Sequence, residues 1–431
     1  MVGKKVLITG LFTQAGIFSV RRFGQLGFEV TAADNHRLAF GMYSKYVNKR
    51  IQLPSLKKNP VGYAKAVIEE LEKGKYDYYF PAFEELYLMS HFKHEIPSHT
   101  KTIIPDYDKI IRLHDKLRLA ETCKEAGVAY PETFSPKTYN EFLDLSINID
   151  RPVYVKIKQS RNSTGIRCVD DPRKLINAYD DVIERNQLDE SKLPIIQEKI
   201  HGPEIAYAAL AQNGEVIGES QHMGIRYIPR AGGTTTCRKT VFDKVCSEEA
   251  ARFVKHIGWT GFISIDFMVD KATGKPYIID VNPRASVCIN VGFYGGVDKI
   301  PQWIRIADGL EAEVLPQIKP EVKSSTHFAD VMWLLYTYTK GPESWEERKK
   351  FRKDWWKNRK EIHYDIISKE DRRPRWILNT FLAVQLLRSV FSRREPSGLF
   401  LEYNVFHEDI FKKQIAKPKN EEVPELECSF G

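Results

Sequence analysis

Gly261-Phe-Ile-Ser-Ile-Asp266-Phe-Met-Val-Asp270, a turn through Gly274, then Tyr277-Ile-Ile-Asp280-Val-Asn282-Pro-Arg284 is the stretch whose reading decides the fold. Apolar and polar residues alternate on both sides of a polar, glycine-containing turn, so the segment reads as an antiparallel hairpin. Joining the strands through Lys271 to Lys275 brings Asp266 opposite Asp280, and the two-residue period puts Asn282 on the face of Asp280. Three oxygen donors then converge, with Arg284 two residues further on. Hard divalent cations take oxygen ligands, and magnesium is commonly held by one or two carboxylates plus substrate phosphates. An isolated acidic pair would read as solvent-facing positions of an amphipathic hairpin. Asp, Asp, Asn and Arg in register are harder to assign to surface decoration, because the like charges repel without a metal. The planar cation of Arg284 suits a phosphate or carboxylate.

Upstream, Pro152-Val-Tyr-Val-Lys156-Ile-Lys158 is an apolar strand with an internal lysine, followed by Gln159-Ser160-Arg-Asn-Ser163-Thr-Gly165. A partly buried lysine costs free energy unless an anion meets it, and a Ser/Gly loop offers hydroxyls and backbone N–H groups to phosphates. The alternative is a lysine snorkelling from an edge strand. The spacing is not GxxxxGK[ST], which argues against a P-loop nucleotidase. A third segment, Ile195-Ile-Gln197-Glu198-Lys199-Ile200-His-Gly202-Pro-Glu204, is an apolar strand running into a polar exit with a second acid, a weak signal by itself. Between it and the hairpin lies Arg226-Tyr-Ile-Pro-Arg230-Ala-Gly232-Gly233-Thr-Thr-Thr-Cys-Arg238-Lys239. This is either a plain flexible loop or the lining of an acceptor site, where Arg226, Arg230 and Arg238 suit a carboxylate or phosphate and Gly232-Gly233 permits closing. Before all of these, Asp115 is placed to cap a helix that opens with Lys116 and stops at Gly127.

In this order and spacing the segments resemble the ATP-grasp superfamily, closest to the branch shared by carbamoyl phosphate synthetase-like enzymes and carboxylate-amine ligases. The resemblance covers roughly residues 1 to 310. It implies ATP between two α+β lobes, with Lys116 and Lys156 on its phosphates and the Ser160, Ser163, Gly165 loop closing over it. Gln197, Glu198, Lys199 and Ile200 would meet the adenine and Glu204 the ribose. Asp266, Asp280 and Asn282 would hold magnesium or manganese. Most members carry glutamate where this chain has Asp280, which puts the number or geometry of metals in question. The implied activity joins a carboxylate to an amine through an acyl-phosphate, releasing ADP and phosphate, with Arg284 stabilising charge that develops along the reaction path. The alternative is a carboxylase or carbamoyl-phosphate-synthetase-like enzyme that activates bicarbonate.

The rest of the chain fits an α/β and α+β protein. Val6 to Ile8, a helical pattern through Leu26 and a strand from Phe28 to Asp34 make a βαβ opening. Its Gly10 and Gly16 lack the GxGxxG spacing, so a dinucleotide ligand is not supported. Further strands are expected at Tyr78 to Phe80 and Thr102 to Ile104. Glu84 and Glu85 follow the first of these and read either as helix-start acids or as ligand-facing residues. The expected organisation is a doubly wound pre-ATP-grasp domain over 1–105, a two-lobed ATP-grasp domain over 106–310 with its lid lobe at about 150–200, and a separate basic, Trp-rich extension over 311–431. In the extension, Trp376 to Phe391 is expected to pack on the core as an amphipathic helix, with membrane-surface contact open but not favoured. Hydrophobic residues at 42% and charged residues at 28% belong to an ordinary globular protein. The net charge of +8 is explained in part by anionic substrates, and no nucleic-acid partner is expected. Six scattered cysteines without a CxxC pair argue against a zinc site or disulfide framework and for a cytoplasmic setting. The Val6 to Ile8 run is too short for a signal peptide. The sequence leaves a homodimer open.

Overall fold

Val6, Leu7 and Ile8 are fully buried, and their strand pairs on both sides. In the computed structural model, which describes residues 3–158, 165–228, 234–339, 344–392, 406 and 408–415, the chain opens with β1 (Lys5–Thr9), α1 (Gln14–Gln25), β2 (Glu29–Asp34), β3 (Val47–Gln52), α2 (Pro60–Gly74), β4 (Tyr78–Pro81) and α3 (Glu85–His91). The four strands are parallel, in the order β3-β2-β1-β4. The first turn explains its glycines without a nucleotide. Gly10 has φ +71°, and a Cβ on Gly16 would lie 2.4 Å from the Gly10 carbonyl oxygen. Thr13 caps α1 by accepting the Gly16 N–H at 3.0 Å, and Asp34 accepts the Leu11 N–H at 2.6 Å. The expected strand at Thr102 to Ile104 is absent; an isolated bridge joins Tyr78 and Lys101 instead. Ile103 and Ile104 pack, partly buried, against the two large hydrophobic clusters.

Two helices, α4 (Tyr107–His114) and α5 (Lys116–Ala126), lead to a small lobe of β5 (Thr133–Phe134), α6 (Tyr139–Ser146), β6 (Val153–Lys156), β7 (Ile166–Val169), α7 (Leu175–Asn186) and β8 (Ile195–Glu198). Its antiparallel sheet runs β5-β8-β6-β7. The lobe has its own core, in which the rings of Phe142 and Tyr179 stack at 3.7 Å. Such a pair adds about 1 kcal/mol beyond the area it buries. This lobe reaches back to Thr133, because β5 completes its sheet.

The main sheet is built from β9 (Glu204–Gln212), β10 (Glu215–Ile228), β11 (Thr234–Val241), β12 (Gly261–Val269) and β13 (Pro276–Asn282), with α8 (Lys244–His256) between β11 and β12. After α9 (Ile289–Tyr294) and α10 (Ile300–Ala307), the extension supplies β14 (Lys323–Ser325), α11 (His327–Thr339), α12 (Trp345–Asn358), β15 (Ile362–Tyr364), α13 (Arg373–Ser392) and α14 (Glu408–Ile415). The order β13-β12-β9-β10-β11-β14-β15 weaves two strands of the extension into the edge of the main sheet, so the shift in composition after 310 does not mark a separate body. Of the helix expected to pack on the core from Trp376 to Phe391, Leu378, Phe381 and Leu382 are buried, with Phe381 edge-on to Phe12 at 4.9 Å, whereas Trp376 is exposed and the side chains from 385 on lie outside the described ones. α14 returns to the first domain, where Phe411 packs against His91 at 4.8 Å. No described helix is long and apolar enough to cross a membrane.

Candidate functional site

The β12–β13 ladder sets Ser264 opposite Asn282 and Asp266 opposite Asp280, as the period predicts, with an irregularity after Asp266. β9 runs on the other side of β12, placing Glu204 opposite Met268, two residues from Asp266 and on the same face. Negative charge accumulates there. Loss of water, then Glu204 and then Asp280, push the Asp266 carboxyl well above its ordinary range, and Arg284 and Lys116 offset only part of this. Glu204 is raised in the same way, by burial first and Asp280 second. Burial works against ionised Asp280 as well, but Lys116, His114 and Lys156 outweigh it and hold its pKa below the usual value. The Asp280 side chain is 43% exposed, so this charge opens to solvent.

Two of the cations come from other elements. Asp115 accepts the N–H groups of Leu117 and Arg118 at 3.0 and 3.1 Å, and this cap fixes the start of α5. Lys116, 7% exposed, thereby reaches Asp280 Oδ1 at 3.5 Å. Lys156, at the end of β6, donates to Gln197 Oε1 at 2.6 Å. Burial and then Lys116 push its pKa down to about 8. Gln197 is 1% exposed and donates in turn to Thr133 at 3.0 Å. The lysine is therefore held by the lobe's own sheet and not by an edge strand. Gly165 has φ +72° and accepts from Ile157 at 3.2 Å; Ser160 and Ser163 lie outside the described residues. Glu198 is paired to the backbone of Glu132, Ile200 is buried, and Lys199 bonds Asp170 at 2.6 Å and the Cys168 sulfur at 3.2 Å.

Arg284 stands where the main sheet meets the first domain. Its Nη2 donates to Asn282 Oδ1 at 3.1 Å, its Nη1 to the Ala285 carbonyl at 3.2 Å, and its guanidinium lies 4.2 Å over the Phe83 ring. The Nε is buried without a partner among the described residues. Glu84 Oε1 is 3.9 Å away, and its Oε2 accepts the Phe406 N–H at 3.3 Å. Glu85 differs from its neighbour. Fully enclosed, it accepts from Thr9 at 2.8 Å and from the N–H groups of Ala82 and Phe83 at 2.8 and 3.2 Å, which ties the β1 and β4 exits together.

The expected acceptor cations are placed elsewhere. Arg226 forms a two-pronged pair with Asp330 at 2.6 and 2.7 Å. Arg238, 2% exposed, meets Asp365 and Thr326 at 2.9 Å each and the Cys288 sulfur at 2.6 Å. Both aspartates come from the extension, and a distance of 104 or 127 residues along the chain leaves no local signal of the pairing. Arg230, Gly232 and Gly233 lie outside the described residues.

The donor set suits a hard divalent cation. Two facing carboxylates and an amide oxygen are of the right chemistry, and the crowding at Asp266 is what such an ion relieves. No group of three or more His, Cys, Asp and Glu side chains is gathered for a metal among the described residues, so further ligands would have to be Asn282, substrate or water.

Residues 113–287 match the family model described as an ATP-grasp domain. Solved structures of the same fold include the biotin carboxylase domain of the 2-oxoglutarate carboxylase of Hydrogenobacter thermophilus, in complex with MgADP, ADP and bicarbonate, with TM-score 0.59 and 20% identity over 75% of this chain and 74% of that one. N5-carboxyaminoimidazole synthetase from Staphylococcus aureus, complexed with ADP, has TM-score 0.56 and 16% identity over 74% and 81%. The L-amino acid ligase from Bacillus licheniformis has TM-score 0.51 and 18% identity over 68% and 70%. No curated protein matches the chain.

Proposed function

We propose, from the premise that residues 113–287 are an ATP-grasp domain, that the protein is an ATP-dependent ligase that activates a carboxylate as an acyl-phosphate and couples it to an amine. The observation that carries the reading is the convergence of Asp266, Asp280, Lys116 and Arg284 at one place, with Lys116 on Asp280 and Arg284 on Asn282. The similar structures described with ADP, or with MgADP and bicarbonate, support nucleotide and magnesium use.

In this reading Lys116 and Lys156 bind the phosphates, and the buried Gln197 holds Lys156. Ser160, Ser163 and Gly165 would contribute to phosphate binding, and Glu198 to Ile200 and Glu204 would meet the nucleoside. Asp266, Asp280 and Asn282 would hold magnesium, which supplies charge neutralisation on the phosphates when bound. The acceptor carboxylate attacks the γ-phosphorus and ADP leaves, a step governed by positioning and electrostatics. Arg284, fixed by Asn282 and Phe83, then faces the tetrahedral oxyanion formed when the amine attacks the acyl carbon; phosphate departs and the amide forms. Arg226 and Arg238 bind no acceptor directly here. They are held by Asp330 and Asp365.

A second reading has bicarbonate as the activated carboxylate, favoured by its presence in the Hydrogenobacter complex. One assay separates the two. The purified protein is given MgATP and pools of amino acids and small carboxylates, or bicarbonate alone, with ADP plus phosphate resolved from AMP plus pyrophosphate. A ligase releases ADP and phosphate only when a carboxylate and an amine are both present, and Asp280→Asn abolishes it. Bicarbonate-stimulated release points to the second reading, and AMP release rejects both.

A further inference from the structure

α12 is fixed to the fold on one side and bare on the other. Ser344 and Glu347 close a reciprocal cap at its start, and Trp355, 6% exposed, donates its Nε1 to Asp330 Oδ2 at 2.7 Å. The next residue, Trp356, is 54% exposed, and Trp345 at the first turn is 60% exposed. Steps of four, three and four residues put Trp345, Lys349, Arg352 and Trp356 on one stripe of the helix. Each of these two rings carries a cation over one face: Lys349 Nζ lies 5.5 Å from the Trp345 ring centre, and the Arg359 guanidinium lies 4.5 Å from that of Trp356. A third tryptophan, Trp376, is 68% exposed in the first turn of α13.

Three large aromatic side chains left mainly in water, all among basic residues, are not what a fold keeps for packing. Indole rings favour the polar–apolar boundary of a bilayer, and lysine and arginine stems reach from there to lipid phosphates. Single-stranded nucleic acid would also use aromatic and cationic groups, but its bases stack on open ring faces. Here a cation competes for one face of each ring on α12, Lys349 at Trp345 and Arg359 at Trp356. We propose that the stripe of Trp345, Lys349, Arg352 and Trp356 docks on an anionic lipid bilayer and holds the protein at the membrane surface without crossing it. The inference does not depend on the ligase reading.

Co-sedimentation of the purified full chain with phosphatidylcholine vesicles, with or without about 30% phosphatidylserine, tests this. The chain should pellet with the anionic vesicles and not with the neutral ones, and binding should fall severalfold as salt is raised. K349E/R352E reverses two exposed charges and should reduce binding by at least about tenfold, at roughly fivefold per basic charge removed. W345A/W356A should reduce it comparably, with an unchanged thermal midpoint showing that the fold is intact. The proposal is overturned by no binding to anionic vesicles, by equal binding to neutral ones, by K349E/R352E binding like the parent, or by a single-stranded oligonucleotide displacing the chain from vesicles.

Discussion

The two ends of the seven-stranded sheet handle charge in opposite ways. At the β12–β13 edge, Asp266, Glu204 and Asp280 crowd together, and the cations around them do not neutralise Asp266. Toward the other edge, Arg226 and Arg238 each have a dedicated aspartate, Asp330 and Asp365, with those carboxylates almost wholly buried. Unbalanced charge open to solvent is held ready for a ligand, whereas balanced charge under cover is part of the fold. Similar residue types in one sheet thus serve different ends, and the difference lies in whether the fold brings a counter-charge.

The largest effect expected from this contrast is at the crowded edge. Asp266→Asn should lower ATP turnover on the order of 10³-fold, while the thermal midpoint without magnesium stays level or rises, since a repelling charge has gone. A fall in both would place Asp266 with the structural charges. Asp365→Ala should do the reverse, destabilising the protein by about 3–5 kcal/mol in chemical denaturation because Arg238 is left buried and unpaired. Asp330→Asn keeps the shape but weakens the Arg226 pair and the Trp355 bond, for a loss of about 2 kcal/mol by the same measurement.

Lys299 sharpens the comparison further. It is buried with its Nζ on Ser220 Oγ at 2.7 Å, and burial, partly offset by Glu219 and Asp298, pushes its pKa down to about 7 from 10.5. Between those values the unfolded chain holds a proton that the native protein does not, so the stability of the parent rises with pH across this window. Lys299→Met should remove about 1 kcal/mol per pH unit of that slope, visible in denaturation midpoints from pH 7 to 10. The smallest effect is expected from Glu84→Gln, which loosens a 3.9 Å contact with Arg284. A change of a few-fold in acceptor KM with little change in stability would separate a site-facing role from packing.

Sequence periodicity placed Asp266 opposite Asp280 because strand geometry is local: two strands, a short turn and alternation suffice. The Asp115 cap and the Gly127 stop of α5 were legible for the same reason, each resting on a few adjacent residues. β14 and β15 gave no such signal. Three residues are too few to show a period, and their place in the sheet depends on pairing with β11.

The chain by itself determined the α/β opening, the hairpin with its oxygen donors and the helix that presents Lys116. What only the tertiary structure decided is which charges are consumed by the fold. Asp330 and Asp365 reach Arg226 and Arg238, and Gln197 takes up Lys156, through contacts between residues distant in the chain. Such pairing follows from burial and three-dimensional proximity, neither of which is written in the spacing of adjacent residues.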